Sequence, residues 1–372
     1  MKIVIERSSL LKALSHVQSV VERRGTIPIL SNVKLEAAAD LLYLTATDMD
    51  IAVVERAKAT VTEPGLTTVP AQTFYDIVRK LPDGSQVEIS RNNDATKLVI
   101  RSGSSRFSLS TLPVEDFPVM TEGDLPFSFS ITTAECNALI DKTRFAVSTE
   151  ETRYYLNGIY LHAAETQGIG VLRSVATDGH RLARIEVALP AGASGMPGVI
   201  IPRKTIGEIK KLTEDGVTHV DISLSESKIR FTCGNAILVS KLIDGTFPDY
   251  ERVIPSGNDK IMEVDGKAFT RAVDRVSIIA SEKTRGIKLS VAQGKLTLSA
   301  DSPEHGAASE EVEVNYAAEP VEIGFNSRYL LDMMAQMEGD MVQFVLADGT
   351  SPALVRDTAD VSALYVVMPM RV

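Results

Sequence analysis

The chain has 372 residues, 44% of them hydrophobic and none of them tryptophan, and a formal net charge of −10 at pH 7. This length predicts two or three domains with aliphatic cores, and with no apolar run of about 18 residues no helical membrane span is expected. Two cysteines, Cys136 and Cys233, are too few for a disulfide framework and lack metal-ligand spacing, so a reducing cytoplasm and no metal or other cofactor are expected.

Residues 8–24 open the chain with a helix pattern, Leu10, Leu11, Leu14, Val17 and Val21 recurring at three- and four-residue spacings behind a Ser8 or Ser9 cap. Strand-like runs follow at 32–37, 41–46 and 51–60, and a second helix is expected over 70–81, with Pro70 near its first turn. More strands lead to Asp116-Phe-Pro118. The order then begins again: a strand at 127–131, a helix over 132–147, strands, a Pro-started helix over 201–212 and a close at Phe247-Pro-Asp249. A third pass places helices over 266–281 and 324–334 and ends in Met368-Pro-Met-Arg371.

Landmarks recur through the three passes. Thr47-Asp48, Thr177-Asp178 and Ala300-Asp301 follow a strand; Val69-Pro70, Ile201-Pro202 and Gly324-Phe325 open the second helix; Phe117-Pro118 and Phe247-Pro248 close the first two units. A period of about 120–130 residues is far above that of solenoid repeats. The expectation is an α+β protein of three repeated domains, 1–125, 126–254 and 255–372, each with two helices on antiparallel sheets.

Charge is sorted along this pattern. The six helical segments carry 17 Lys and Arg against 9 Asp and Glu, although the whole chain is acidic. Arg23, Arg24, Arg79, Lys80, Arg203, Lys204, Lys210, Lys211, Arg271 and Arg275 are candidates for a basic helix face. Such a face suits sequence-independent contact with phosphates; any single lysine or arginine is as well explained as ordinary solvated surface. The densest group of special residues, Ser174 to Arg184, reads as two strands joined by a tight turn at Asp178-Gly179. An enzyme using Asp178 and His180 as an acid–base pair or metal ligands, joined by Asp48 and Asp50, is the rival reading. The histidine is isolated in sequence, no phosphate loop or nucleophile elbow appears, and turn geometry alone accounts for Asp-Gly.

Several longer motifs carry a resemblance. They are Ile27-Pro-Ile-Leu30, the run from Arg101 to Pro113, Arg153-Tyr-Tyr-Leu-Asn-Gly158, Val175 to Ala183, Ser240-Lys-Leu242, Phe247-Pro-Asp-Tyr250, Ile323-Gly-Phe-Asn326 and Tyr365 to Arg371. Over essentially its whole length the chain resembles the bacterial DNA polymerase III beta subunits, the sliding clamps. The resemblance implies a non-catalytic processivity factor: a head-to-tail homodimeric ring of six domains through which double-stranded DNA threads, encircled without sequence preference. An open DNA-binding scaffold that does not form a ring is the alternative.

What the resemblance implies for individual residues is as follows. A pocket for short peptide motifs of the polymerase alpha subunit, the clamp loader, other polymerases and repair proteins would comprise Leu156, Thr177, Gly179, His180, Arg181 and Leu182. Pro248, Arg252 and Val253 would join it from the junction, and Asn326, Tyr329, Met368, Pro369, Met370 and Arg371 from the last domain. Arg24, Tyr154, Tyr155, Arg203, Lys204 and Lys241 would contact DNA. Ring closure would pair Lys97, Arg101, Arg106 and Phe107 with Ile278, Ile279, Glu304 and Glu310, and with Glu311 and Glu313 nearby. Gly306, Ala307 and Ala308 interrupt the acidic run, so a reduced electrostatic share of closure is expected.

Overall fold

The computed structural model describes residues 1–21, 26–91, 96–121, 123–214, 216–281 and 284–371. Its helices are α1 (Arg7–Val17), α2 (Ala71–Lys80), α3 (Thr133–Arg144), α4 (Arg203–Thr213), α5 (Gly266–Ser277) and α6 (Ser327–Met334). All six expected helices form, shorter than the periodicity suggests. The first does not start from a Ser8 or Ser9 cap: Glu6 is the cap, and its carboxylate accepts the Ser9 amide and the Ser8 hydroxyl. Pro70 caps α2, where its missing N–H costs nothing. Asp265 caps α5 by accepting the Ala268 amide at 2.7 Å, and Asn326 caps α6 by accepting that of Arg328 at 3.0 Å. On α3, Leu139, Ile140 and Thr143 are buried, as is Ala146 just beyond its end, so the expected face packs inward.

The three repeats are arranged in two compact units. The first comprises Met1–Cys136, Pro190–Ser194 and Lys204–Leu242, the second Asn137–Leu189, Gly195–Arg203 and Ile243–Val372, so the middle repeat is divided between them. The cause lies in the sheets. In the first unit an eight-stranded antiparallel sheet runs without a break through Ala236–Lys241 and Ile51–Lys58, with Ala236 opposite Glu55 and Ser240 opposite Ile51. In the second a twelve-stranded sheet continues through Arg181–Ala188 and Ala363–Val367, with Arg181 opposite Val367 and Ile185 opposite Ala363. Backbone groups at these strand edges find partners in the next repeat, which spares them the cost of burial unpaired.

The repeat landmarks have packing roles. Phe117 is buried against Ile29 and Leu30, which ties Asp116-Phe-Pro118 to Ile27-Pro-Ile-Leu30 in the first unit. In the second unit Phe247 stacks on Tyr160, with ring centroids 4.8 Å apart, and joins a cluster with Leu156, Val175, Leu182, Ile200, Tyr250, Leu354, Leu364 and Val366. Gly158 is required by close approach: a Cβ there would drive into the carbonyl oxygen of Ile201 on the paired strand. The Thr-Asp landmark is a turn built twice with the same four hydrogen bonds. Thr47 Oγ1 donates to the Ile51 carbonyl and accepts the Met49 amide, while Asp48 Oδ1 accepts the amides of Asp50 and Ile51. Thr177 and Asp178 do the same for Arg181, Gly179 and His180. The third residue is left-handed in both copies, Met49 at φ 77° and Gly179 at φ 88°.

In the last repeat the buried Asp357 carboxylate gathers three amides, of Glu338, Gly339 and Ala359, at 2.7–2.9 Å. Burial alone would raise its pKa, but these bonds and the nearby Lys142 charge hold it below the ordinary aspartate value of 3.8. A carboxylate whose folded pKa is depressed contributes stability above its unfolded pKa, and this is lost as pH falls through the folded one. Acid unfolding of the second unit is therefore expected to steepen below about pH 4. Asp357→Asn should flatten that slope between pH 5 and 3 in urea titrations, at a cost to stability at pH 7.

Candidate functional site

The turn after Thr177 becomes a site through the arginine that follows it. Arg181 is only 9% exposed, and its guanidinium is fully engaged. Nε donates to Asp178 Oδ2 at 3.0 Å, one terminal nitrogen to Asp332 Oδ2 at 2.6 Å and the other to the Phe145 carbonyl at 2.6 Å. The group lies over the Tyr329 ring at 4.4 Å and the Phe145 ring at 5.2 Å. One side chain thus joins the turn, the end of α3 and α6. The exposed His180 stacks on Tyr329, with centroids 6.3 Å apart and planes 19° from parallel. Burial pushes the Tyr329 phenol up. Around this lies a cavity of about 490 Å³ lined also by Arg144, Val147, Ser148, Glu150, Arg203 and Arg328.

The C-terminal segment runs beside it. Pairing of Arg181 with Val367 and Leu182 with Val366 brings the Met368 amide to the His180 carbonyl at 2.9 Å, and the Met370 amide reaches the Gly324 carbonyl at 2.9 Å. Met368 stays 39% exposed. Pro369, Met370 and Arg371 line a second cavity of about 560 Å³ with Lys288, Glu322, Ile323, Gly324, Gly349 and Thr350. Leu156 and Leu182 are buried in the core cluster beneath, while Pro248, Arg252 and Val253 are exposed on the segment that Phe247 and Tyr250 anchor there. Arg252 pairs with Asp249 at 2.6 Å.

That segment is held by a network that no motif in the chain singles out. The buried Arg173 donates to the Tyr250 hydroxyl at 2.7 Å, to Glu251 at 2.6 Å and to Glu186 at 2.8 Å, and His162 bonds the Tyr250 hydroxyl at 3.0 Å. Arg173 and Glu186 face each other on the paired strands of one hairpin, whereas Tyr250 and Glu251 come from a segment more than sixty residues further on and share no motif with them. The second cavity's Lys288 and Thr350 were missed for the same reason.

The expected DNA contacts are not all in one unit. Tyr154 and Tyr155 pack edge to face beside Gly245 in the second unit, which also holds Arg203. Lys204 and Lys241 belong to the first, each paired with an aspartate of the Asp48–Asp50 turn. Arg24, like Arg23, lies outside the described residues. The rival acid–base reading is not assembled: Asp178 spends both oxygens on the turn and Arg181, and no cluster of three metal-ligating side chains occurs among the described residues.

Each unit also has an open strand edge. In the first, Ser105–Ser110 is outermost in its five-stranded sheet. Exposed Arg101 and Arg106 sit directly opposite each other in its pairing, like charges that repel. In the second, Gly306–Asn315 pairs on one side over Gly306–Glu313 and on the other only at Val314 and Asn315. Of its acids, Glu310 is taken by Arg275 and Glu311 by Lys295 at 3.0 Å. Glu304 is exposed, and Ile278, just past α5, is 75% exposed with Ile279 half-buried beside it.

Arg181→Ala should remove the tie among turn, α3 and α6, leave Asp178 without its cation and leave Asp332 with only the more distant Arg328. A loss of about 3 kcal/mol in urea unfolding is expected, with Arg181→Lys recovering only part because it cannot fork among three acceptors.

Comparison with known proteins covers nearly the whole chain. Residues 1–121, 130–249 and 251–371 match the N-terminal, central and C-terminal domain models of the DNA polymerase III beta subunit. The beta sliding clamp of Caulobacter vibrioides (strain NA1000 / CB15N) is 54% identical over 372 residues, covering all of both chains. That of Escherichia coli (strain K12) is 40% identical over 374 residues, again covering both completely. Among solved structures, a Caulobacter crescentus beta sliding clamp superposes with a TM-score of 0.97 at 54% identity, over 100% of this chain and 99% of that one. A Bartonella birtlesii DnaN sliding clamp solved bound to griselimycin gives 0.97 at 48% identity, over 100% of both.

Proposed function

The chain belongs to the DNA polymerase III beta subunit family, the beta sliding clamps, and from that premise we propose that two copies close head to tail into a non-catalytic ring around duplex DNA. The ring recruits its partners through the His180–Tyr329 cleft and the C-terminal segment beside it. Each copy contributes three clamp domains, with boundaries near residues 125 and 254. A topological hold needs little direct affinity, and attraction to phosphates that varies little along a duplex permits sliding.

The observation that carries the docking role is the construction of the cleft. Arg181 fixes its walls from within, so His180, Tyr329 and the partly exposed Met368 are presented on rigid elements. Apolar and methionine side chains adapt to differing peptides. Thr177, Gly179 and Asn326 shape the site through the turn and the α6 cap; Leu156 and Leu182 form its foundation; Pro248, Arg252, Val253, Pro369, Met370 and Arg371 extend its rim. The docked segments are short peptide motifs of the polymerase alpha subunit, the clamp loader, other polymerases and repair proteins, all in the cytoplasm.

Ring closure rests on the open edges. Arg101 and Arg106 repel each other within one chain and gain from an acidic partner, and Phe107 meets the exposed Ile278 and Ile279. Because Arg275 and Lys295 already hold Glu310 and Glu311, the apolar contacts and backbone pairing carry most of the closure, with Lys97 and Glu304 at the margin.

Two surfaces, two variants and two assays test this together. Met368→Asp should weaken binding of a labelled polymerase clamp-binding peptide at least about tenfold, the effect of burying one unpaired charge, while sedimenting as a dimer. Ile278→Asp should sediment as a monomer at micromolar concentration yet bind the peptide normally. A wild-type monomer, or loss of both properties in either variant, contradicts the assignment.

A further inference from the structure

The two copies of the Thr-Asp turn differ in what the aspartate's second oxygen does. In the middle repeat, Asp178 Oδ2 binds Arg181, two residues past the left-handed position on its own strand. The matching residue of the first copy is Ile51, which offers no cation. Asp48 Oδ2 instead reaches across to Lys204, in the first turn of α4, and bonds its ammonium. The same ammonium donates to the Val20 carbonyl at 3.1 Å. Asp50, where the middle copy has His180, pairs with Lys241 at 3.0 Å. All of this lies in the first unit. The Asp48 side chain is 10% exposed, whereas Lys204 is 44%, Lys241 53% and Asp50 75% exposed. Both cations thus face solvent while already holding a carboxylate.

We propose that Asp48 and Asp50 are built-in competitors of DNA phosphate at Lys204 and Lys241, which keep the ring's grip on the duplex weak enough for it to slide. This rests on the reading of Lys204 and Lys241 as DNA contacts. At Lys204 a phosphate competes with the Asp48 carboxylate, whose other oxygen is held by the turn's amides, and at Lys241 it competes with Asp50. Each such exchange returns little net energy, so the duplex meets a face whose cations are partly cancelled in advance. The device uses the same backbone turn that builds a docking wall in the middle repeat, with Arg181 replaced by Ile51 and His180 by Asp50.

The test is binding of a fluorescent 20-base-pair duplex to full-length protein across a NaCl series. Asp48→Asn keeps the Oδ1 acceptor that closes the turn, and Asp50→Asn lies at an exposed position, so both should fold. The double variant is expected to bind roughly two- to tenfold more tightly at low salt, the range two partly exposed ion pairs correspond to. Its log–log salt slope should steepen by about 0.9 for each phosphate newly engaged. Adding Lys204→Ala and Lys241→Ala should erase the gain. A control that removes two exposed acids elsewhere, Glu226→Gln with Glu319→Gln, should show less than half of it. Unchanged or weaker binding in the double variant, a gain that survives loss of the lysines, or an equal gain in the control would overturn the proposal. A wild-type protein with no salt-sensitive duplex binding, and no response to Lys204→Ala, would bring down the DNA reading and this inference with it.

Discussion

The pairing of Arg181–Ala188 with Ala363–Val367 is the contact on which the rest depends. It joins strands nearly two hundred residues apart into one sheet, and it aims the chain's last residues along the turn at Asp178. Without it Met368 would have no reason to lie beside His180, and the cleft would have one wall. The Arg181 side chain completes what the backbone begins, since its three acceptors sit on the turn, on α3 and on α6. A main-chain seam and one buried guanidinium thus convert a repeat boundary into a rigid surface.

The same logic explains why a molecule of three sequence repeats has two structural units. Each of the first two repeats has a strand whose outer edge pairs with the next repeat: Ile51–Lys58 with Ala236–Lys241, and Arg181–Ala188 with Ala363–Val367. The Thr-Asp turn precedes the seam strand both times and so always stands near incoming groups of the following repeat. In one copy those groups are Tyr329 and Asp332, gathered by arginine; in the other they are Lys204 and Lys241, gathered by aspartate. Two or three side chains on a shared backbone turn separate a wall gathered by arginine from one gathered by aspartate.

Much of this was legible in the chain. Helices showed through three- and four-residue spacing, and the repeats through prolines, phenylalanines and Asp-containing turns, because each of those residues answers a local backbone or packing need. What stayed hidden was non-local. The seams pair strands with ordinary alternation, and nothing in that alternation names a partner. Glu310 and Glu311 read as a free acidic edge, yet Arg275 and Lys295 already hold them. The Arg173 network and the Asp48–Lys204 pair are contacts between segments with no common pattern, as is the Glu6 cap that replaces the expected serine.

Retention on a nicked circular plasmid tests most directly whether the hold on DNA is topological. Protein loaded by a clamp loader is expected to stay with the circle through gel filtration at physiological salt and to leave when one restriction cut opens the plasmid. Retention that is unaffected by the cut would contradict the ring and identify an open scaffold that grips DNA on one face.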